Sequence, residues 1–496
     1  MCTDSPLPDL SYQSTPLPED LEKLKFHGDF EGAQKAITLW LGREIPAALR
    51  RRLEMERGVL DLLAHNEYPH TLEAAQRIMA EHFRDYHPEE LLRIKETGRA
   101  DWAYVNGRLH FQRRFFENLL KTQADYAARL IKPAPAGGDS RNDELLDGHI
   151  RRIKTRGEGS AEIRLRVTLG VKKEFAEPGR TVFAHLPIPQ EGSPATEFKL
   201  LRASIAGPSD PLAGPPDSPV EPSGPLAGPH IAPPGAPHRT VFFTAPLGEG
   251  EVFSLEYSFV NRIRYADLAA PEKAAAYAAQ AISIENRPPP SGPLFLGEQL
   301  PHIRFTPYLR LLLEEILEGE TAPLQRARRI YDFITTRVGY AYMREYAAIE
   351  NISQYAAVNL KGDCGVQAIL FITLCRMAGI PAAWQSGLYV TPDHAGCHDW
   401  ARFYVEPWGW LFADPSFGGS AWRKGDRERG DYYFGNLDLF RMPANSAIMA
   451  DFSPPKKHPR ADPVDSQCGE LEYEDRGLPA YALETTQEVI SFSIRE

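Results

Sequence analysis

A chain of 496 residues is several times what one compact core requires, and 43% hydrophobic with 25% charged residues is ordinary globular composition; two to four domains are expected, with disorder only local. A formal net charge of −11 repels phosphate backbones and anionic lipid, so neither nucleic acid nor a membrane surface is an expected partner. No stretch approaches the roughly 20 apolar residues that span a bilayer, and the opening MCTDSPLPDL is acidic and Pro-rich where a secretion signal is basic and then apolar.

Cys2, Cys364, Cys375, Cys397 and Cys468 are few and odd in number, and they lack zinc-type C-x-x-C spacing. That pattern fits a reducing cytoplasm, with no metal site and no cofactor expected. Residues 1–150 read as a helical region, because apolar positions recur at helical spacing in EDLEKLKFHGDFEGAQKAITLWL and TLEAAQRIMAEHFRDY, with Pro69, Pro88 and Gly107 as punctuation. His65, His70, His82, His87 and His110 fall here without an H-E-x-x-H pattern, so surface or interhelical packing is expected of them.

After PAPAGGDSRNDE the period becomes two. Ile163, Leu165, Val167 and Leu169 alternate with polar residues, as do Phe253, Leu255, Tyr257 and Phe259, and TVFAHLPIP and TVFFTA add two further strand candidates. These predict a β-sandwich over 155–265. It is interrupted at 204–238 by a Pro/Gly-rich tract in which PLAGP occurs twice, read as an extended inserted loop.

A third domain is expected over 290–496. Beyond NRPPPSGP, Thr306 and Pro307 start a helix, and a second helix runs through LQRARRIYDFITTRV. Gly362-Asp363-Cys364 then forms a turn into an apolar helix that stops at Gly379 and Pro381. Cys364 at a helix N-terminus is placed where free N–H groups favour a thiolate, the reactive form of the side chain. AAWQSGLYV, HDWARFYVE and WGWLFADPS read as strands, and a hairpin turning near Pro407-Trp408-Gly409 brings His398 opposite Asp414, with a bulge to absorb unequal arms. Alternation points Asp399 to the strand face opposite His398. Cys397 is read as a small strand residue with a redox role as the alternative, and Cys375 as core. The C-terminal YYFGNLDLFRMPANSAI, GELEYEDRGL and EVISFSIRE suggest peripheral strands or loops finishing this domain, and FSPPKKHPR a solvated loop.

Gly362-Asp363-Cys364, His398-Asp399-Trp400 and Asp414-Pro415-Ser416, spaced by 34 and 16 residues, together with Gly379-Ile380-Pro381, resemble the core of the transglutaminase-like superfamily over about 325–420. The resemblance implies an α+β fold with a papain-like cysteine core, here preceded by the β-sandwich and the helical region. It also implies Cys364 as nucleophile, His398 as base and Asp414 as the residue orienting the imidazole. Asp399 departs from the small residue usual there. The Cys364 N–H is the default oxyanion donor, with Gln354, Tyr340 and Tyr342 as candidates for the second.

The expected chemistry is acyl transfer on a protein or peptide substrate through a thioester, with hydrolysis placed ahead of amine cross-linking. The rival readings are a catalytically silent scaffold that binds through the sandwich and helical region, and a metal site built from Cys364, Cys397, His398 and Asp399.

Overall fold

The computed structural model describes residues 10–132, 138–192, 194–207, 229–279 and 293–495. Most of the Pro/Gly-rich tract and most of NRPPPSGP lie outside these. Among the described residues the fold is α+β, as expected.

The N-terminal region packs helices such as Phe30–Leu41, Ala47–Leu62 and Leu72–His82 around two apolar clusters. It is not wholly helical. Trp102–Val105 and Arg108–Phe111 form a hairpin completed by His70–Thr71. Asn106 and Gly107 at its tip both have positive φ, the pair of conformations a two-residue hairpin turn demands. Gly107, read above as a helix break, is therefore a hairpin signal. His82 is exposed and bonds the Ile78 carbonyl of its own helix, while His70 and His110, on strands and not between helices, bond to the backbone oxygens of Arg113 and Tyr68.

The elements that build the rest, in chain order, are strands β1 (Glu158–Val171), β2 (Thr181–Pro187), β3 (Ala195–Ala206), β4 (Thr240–Pro246) and β5 (Val252–Arg264). Helices α1 (Pro307–Leu317), α2 (Pro323–Arg337), α3 (Ile352–Asn359) and α4 (Cys364–Met377) follow. Then come β6 (Ala382–Thr391), β7 (His394–Val405), β8 (Gly409–Ala413), helix α5 (Pro415–Arg423), β9 (Arg441–Asn445), β10 (Glu470–Tyr473) and β11 (Leu483–Arg495).

The sandwich consists of one sheet ordered β11-β1-β5-β3 and another ordered β10-β2-β4 with His230–Ile231 at its edge. Ile163, Leu165 and Leu169 from β1 meet Phe253, Leu255 and Tyr257 from β5 in a single apolar cluster. The C-terminal strands were expected to finish the third domain. Instead β11 pairs along β1 from Leu483 opposite Val171 to Arg495 opposite Ser160, and β10 pairs with β2. A free sheet edge presents unpaired N–H and C=O groups that another strand can take up, and the edge of β1 takes up β11. The segment FSPPKKHPR is likewise not a solvated loop: the side chains of Lys456 and Arg460 are 2% exposed and both bond Glu470, at 2.7 and 2.6 Å.

The third region is a sheet ordered β8-β7-β6-β9, with Phe434–Gly435 beyond β8, packed on α4. Thr306 caps α1 by accepting from the Leu309 N–H at 3.3 Å, with Pro307 at the first position as read from sequence. Residues Gly365 to Arg376 of α4 are all buried, which explains a helix apolar on every side. Gly379, at φ +75°, ends it, and the Ile380 N–H returns to the Cys375 carbonyl.

Candidate active site

Cys364 is the first residue of α4 and is half-buried. Asp363 precedes it as N-cap, its carboxylate accepting from the Val366 N–H at 3.2 Å and from the Tyr346 hydroxyl at 2.6 Å. A short parallel pairing of Gly339–Tyr340 with Lys361–Gly362 brings Tyr340 beside this turn. The N-terminal region buttresses the same segment: Asn118 exchanges two hydrogen bonds with the Tyr342 backbone, and Lys121 lies 4.4 Å above the Tyr340 ring.

The partner of the Cys364 thiol is Asp399. The thiol donates to its Oδ2 at 3.2 Å, and the Tyr346 hydroxyl approaches the same oxygen at 3.5 Å. Oδ1 accepts from Gln467 Nε2 at 2.6 Å, and that amide also reaches the carbonyls of His398 and Gly387. Gly365 permits the approach, because a Cβ there would lie 2.2 Å from the Tyr346 hydroxyl and 2.7 Å from Asp399 Oδ2.

His398 lies on the other face of β7. Ala401, Phe403 and Val405 share the Asp399 face and pack into the cluster formed by α4, whereas Trp400 shares the His398 face, with the two rings stacked 6.0 Å apart. His398 Nε2 is 2.7 Å from Asp414 Oδ2, which also accepts from Arg441 Nη1 at 2.8 Å; Arg441 in turn donates to Asp438 at 2.6 Å. Asp414 Oδ1 takes the Ser416 hydroxyl and the Phe417 N–H, both at 3.0 Å. An ionised Asp414 assigns the imidazole proton to Nε2 and leaves Nδ1 as the basic nitrogen.

The hairpin register differs from the count made on the sequence. Ala401 pairs with Ala413 and Val405 with Gly409, which sets Trp400, not His398, level with Asp414. The displacement is two residues, an even number, so His398 and Asp414 still share a face.

The structure thus brings His398 and Asp414 together and does not hydrogen-bond either to Cys364. Strand alternation accounts for it: the apolar residues of β7 that pack on α4 carry odd numbers, so Asp399 and not His398 faces the thiol.

The thiolate expected at the helix N-terminus is also opposed. Burial, then the charges of Asp399 and Asp363, push the Cys364 thiol well above its ordinary value, and the Asp363 side chain already occupies an N-terminal N–H that would have met the sulfur. Burial and the Asp363 charge raise the Asp399 carboxyl to about 8, and burial raises Asp363 to about 6. His398 is lowered by burial against the pull of Asp414. Burial would raise Asp414, but His398 and Arg441 outweigh it and hold the carboxyl well below the usual range.

Of the oxyanion candidates, Tyr340 pairs beside the turn that carries Cys364. The Tyr342 ring lies beneath Arg114, and Gln354 sits in the first turn of α3, its N–H bonded to Asn351. The four residues of the metal reading divide between the two faces of β7. Tyr346, Gln467, Arg441 and Asp438 escaped sequence reading because none lies in a spaced motif. Asp399 was visible there, as the acidic departure beside the histidine.

Residues 310–415 match the model of the Transglutaminase-like superfamily core. A protein from Cytophaga hutchinsonii, described as a candidate cysteine protease, is similar at 14% identity and a TM-score of 0.38, over 68% of this chain and 91% of that one. The periplasmic domain of TgpA from Pseudomonas aeruginosa is similar at 16% identity and a TM-score of 0.24, over 57% and 96%. No curated protein matches the sequence. No helix among the described residues is long and apolar enough to cross a membrane.

Proposed function

We propose that the chain is a cysteine enzyme that hydrolyses peptide or carboxamide bonds through a thioester on Cys364. The observation supporting this is a half-buried thiol at the first residue of a buried helix, inside the segment matched by the family, against the strand that carries His398 locked onto Asp414. In this reading Asp399 holds the resting thiol protonated. Substrate entry breaks that bond and turns the sulfur away from Asp399 toward His398, which at rest lies on the other face of β7, so that the imidazole Nδ1 takes the thiol proton. The sulfur then adds to the carbonyl carbon, His398 returns the proton to the departing amine, and water cleaves the thioester to a carboxylate and restores the thiol. Asp414 orients the ring, and the Cys364 N–H with Tyr340 receives the oxyanion. We place the protein in the cytoplasm, in keeping with the free thiols of the four described cysteines.

A second reading has an observation of its own. The thiol is bonded to a carboxylate and not to an imidazole, as it would be in a silent core that serves as a binding scaffold.

Incubating the full chain with peptide libraries, with and without a primary amine, separates the outcomes by mass spectrometry. New carboxylates that vanish in Cys364→Ala and His398→Ala support hydrolysis, and amine adducts indicate transfer instead. No product with either mixture sinks the enzymatic reading in favour of the scaffold.

A further inference from the structure

Two cysteines outside the chemistry above face each other. Cys397 is exposed on β7, one residue before His398, and its sulfur is 3.2 Å from that of Cys468. Cys468 is half-buried and follows Gln467, the residue whose amide braces the Asp399 carboxylate and the His398 carbonyl. Gln487 on β11 donates to the Cys468 sulfur at 3.4 Å, so that sulfur is contacted by an amide as well as by the Cys397 thiol.

We propose that Cys397 and Cys468 form a reversible disulfide that fastens the Gln467 segment to β7. The sulfurs need to close by only about 1.2 Å to reach bonding distance, and the two residues are 71 apart in sequence, so the bond adds a covalent tie to the hydrogen bonds by which Gln467 already holds this segment to β7. The inference stands on these two sulfurs and holds whether or not Cys364 is a nucleophile.

The oxidant is a small-molecule disulfide. The Cys468 thiolate, favoured by the hydrogen bond from Cys397, attacks one of its sulfurs and expels the first thiolate. Cys397 gives up its proton and attacks the mixed disulfide at the Cys468 sulfur, expelling the second. Two protein thiols are oxidised and one small disulfide is reduced to two thiols, with no other reactant. In a reducing compartment the pair rests open, and it closes under an oxidising challenge.

The test uses the full chain, reduced, desalted and incubated with oxidised glutathione. Remaining thiols are blocked in denaturant, and the protein is digested without reduction for mass spectrometry. The expected product is one intramolecular cross-link between the Cys397 and Cys468 peptides, two hydrogens lighter than the reduced pair and absent in Cys397→Ser and Cys468→Ser. An unfolding temperature a few degrees higher in the oxidised wild type, unchanged by oxidant in either variant, would accompany it. Separate glutathione adducts on the two cysteines, blocked free thiols at both, or a cross-link from either one to another cysteine would each overturn the proposal. Because the readout is the bond itself, loss of peptidase activity does not bear on it.

Discussion

Replacing Asp399 by Asn tests the account of the site most directly. The thiol donates to a carboxylate 3.2 Å away, and burial with two neighbouring carboxyls keeps it protonated. Asn has the same shape, its oxygen can still accept from Gln467, and its amide nitrogen turns a proton toward the sulfur where Asp presented a negative oxygen. A hydrogen bond to a charged partner is worth about 1.5–3 kcal/mol, or about 10- to 100-fold in a population, and alkylation requires the thiolate. The rate of iodoacetamide modification at Cys364 at about pH 9, above the Asp399 value of about 8 so that this carboxyl is ionised, is therefore expected to rise by about 10- to 100-fold in Asp399→Asn. It must be followed on the Cys364 peptide itself, since Cys397 is exposed and also reacts; the rates at Cys397 and Cys468 in the same digest are the internal control. An unchanged or slower rate at Cys364, with folding intact, would refute the claim that Asp399 restrains the thiol.

Arg441 and Asp414 are fully buried and bonded to one another, so Arg441→Met strands Asp414 and Asp438 without a cation. Urea denaturation is expected to show a loss of about 3–5 kcal/mol; a loss below about 1 kcal/mol would mean that the network contributes little to stability. The raised carboxyls also give stability a pH dependence. Asp399 is held at about 8 in the folded chain against about 4 unfolded, so the folded state binds the extra proton. Its contribution is fully present below about pH 4 and is lost as pH rises through about 8. The unfolding temperature of wild type relative to Asp399→Asn should fall from pH 5 to 8, with buried histidines cancelling in the difference. A flat or rising difference contradicts the raised carboxyl.

Much was legible before any coordinates. The apolar run after Cys364 with Gly379 and Pro381 behind it could only be a buried helix that stops there, and Thr306-Pro307 announced a helix start. The two alternating stretches at Ile163–Leu169 and Phe253–Phe259 were strands. Asn106-Gly107 carried a hairpin signal that helical periodicity on either side concealed. The partners of Cys364 were harder to read, although a clue existed. Ala401, Phe403 and Val405 form the apolar row of β7, and extending that row backward reaches Asp399 instead of His398.

The sequence by itself determined what depends on near neighbours: helix starts and stops, strand periods, the thiol at a helix N-terminus, and His398 and Asp414 on one face of a hairpin. Tertiary structure decided what depends on residues distant in the chain, namely that β11 completes the sandwich, that Asp399 accepts the hydrogen bond of the Cys364 thiol, that Arg441 neutralises Asp414 and that Cys468 meets Cys397. The reason is physical. Local preference is set by backbone sterics and a two- or 3.6-residue period, while the environment of a buried charge or thiol is set by whichever side chains packing brings within a few ångströms, and no spacing rule records those.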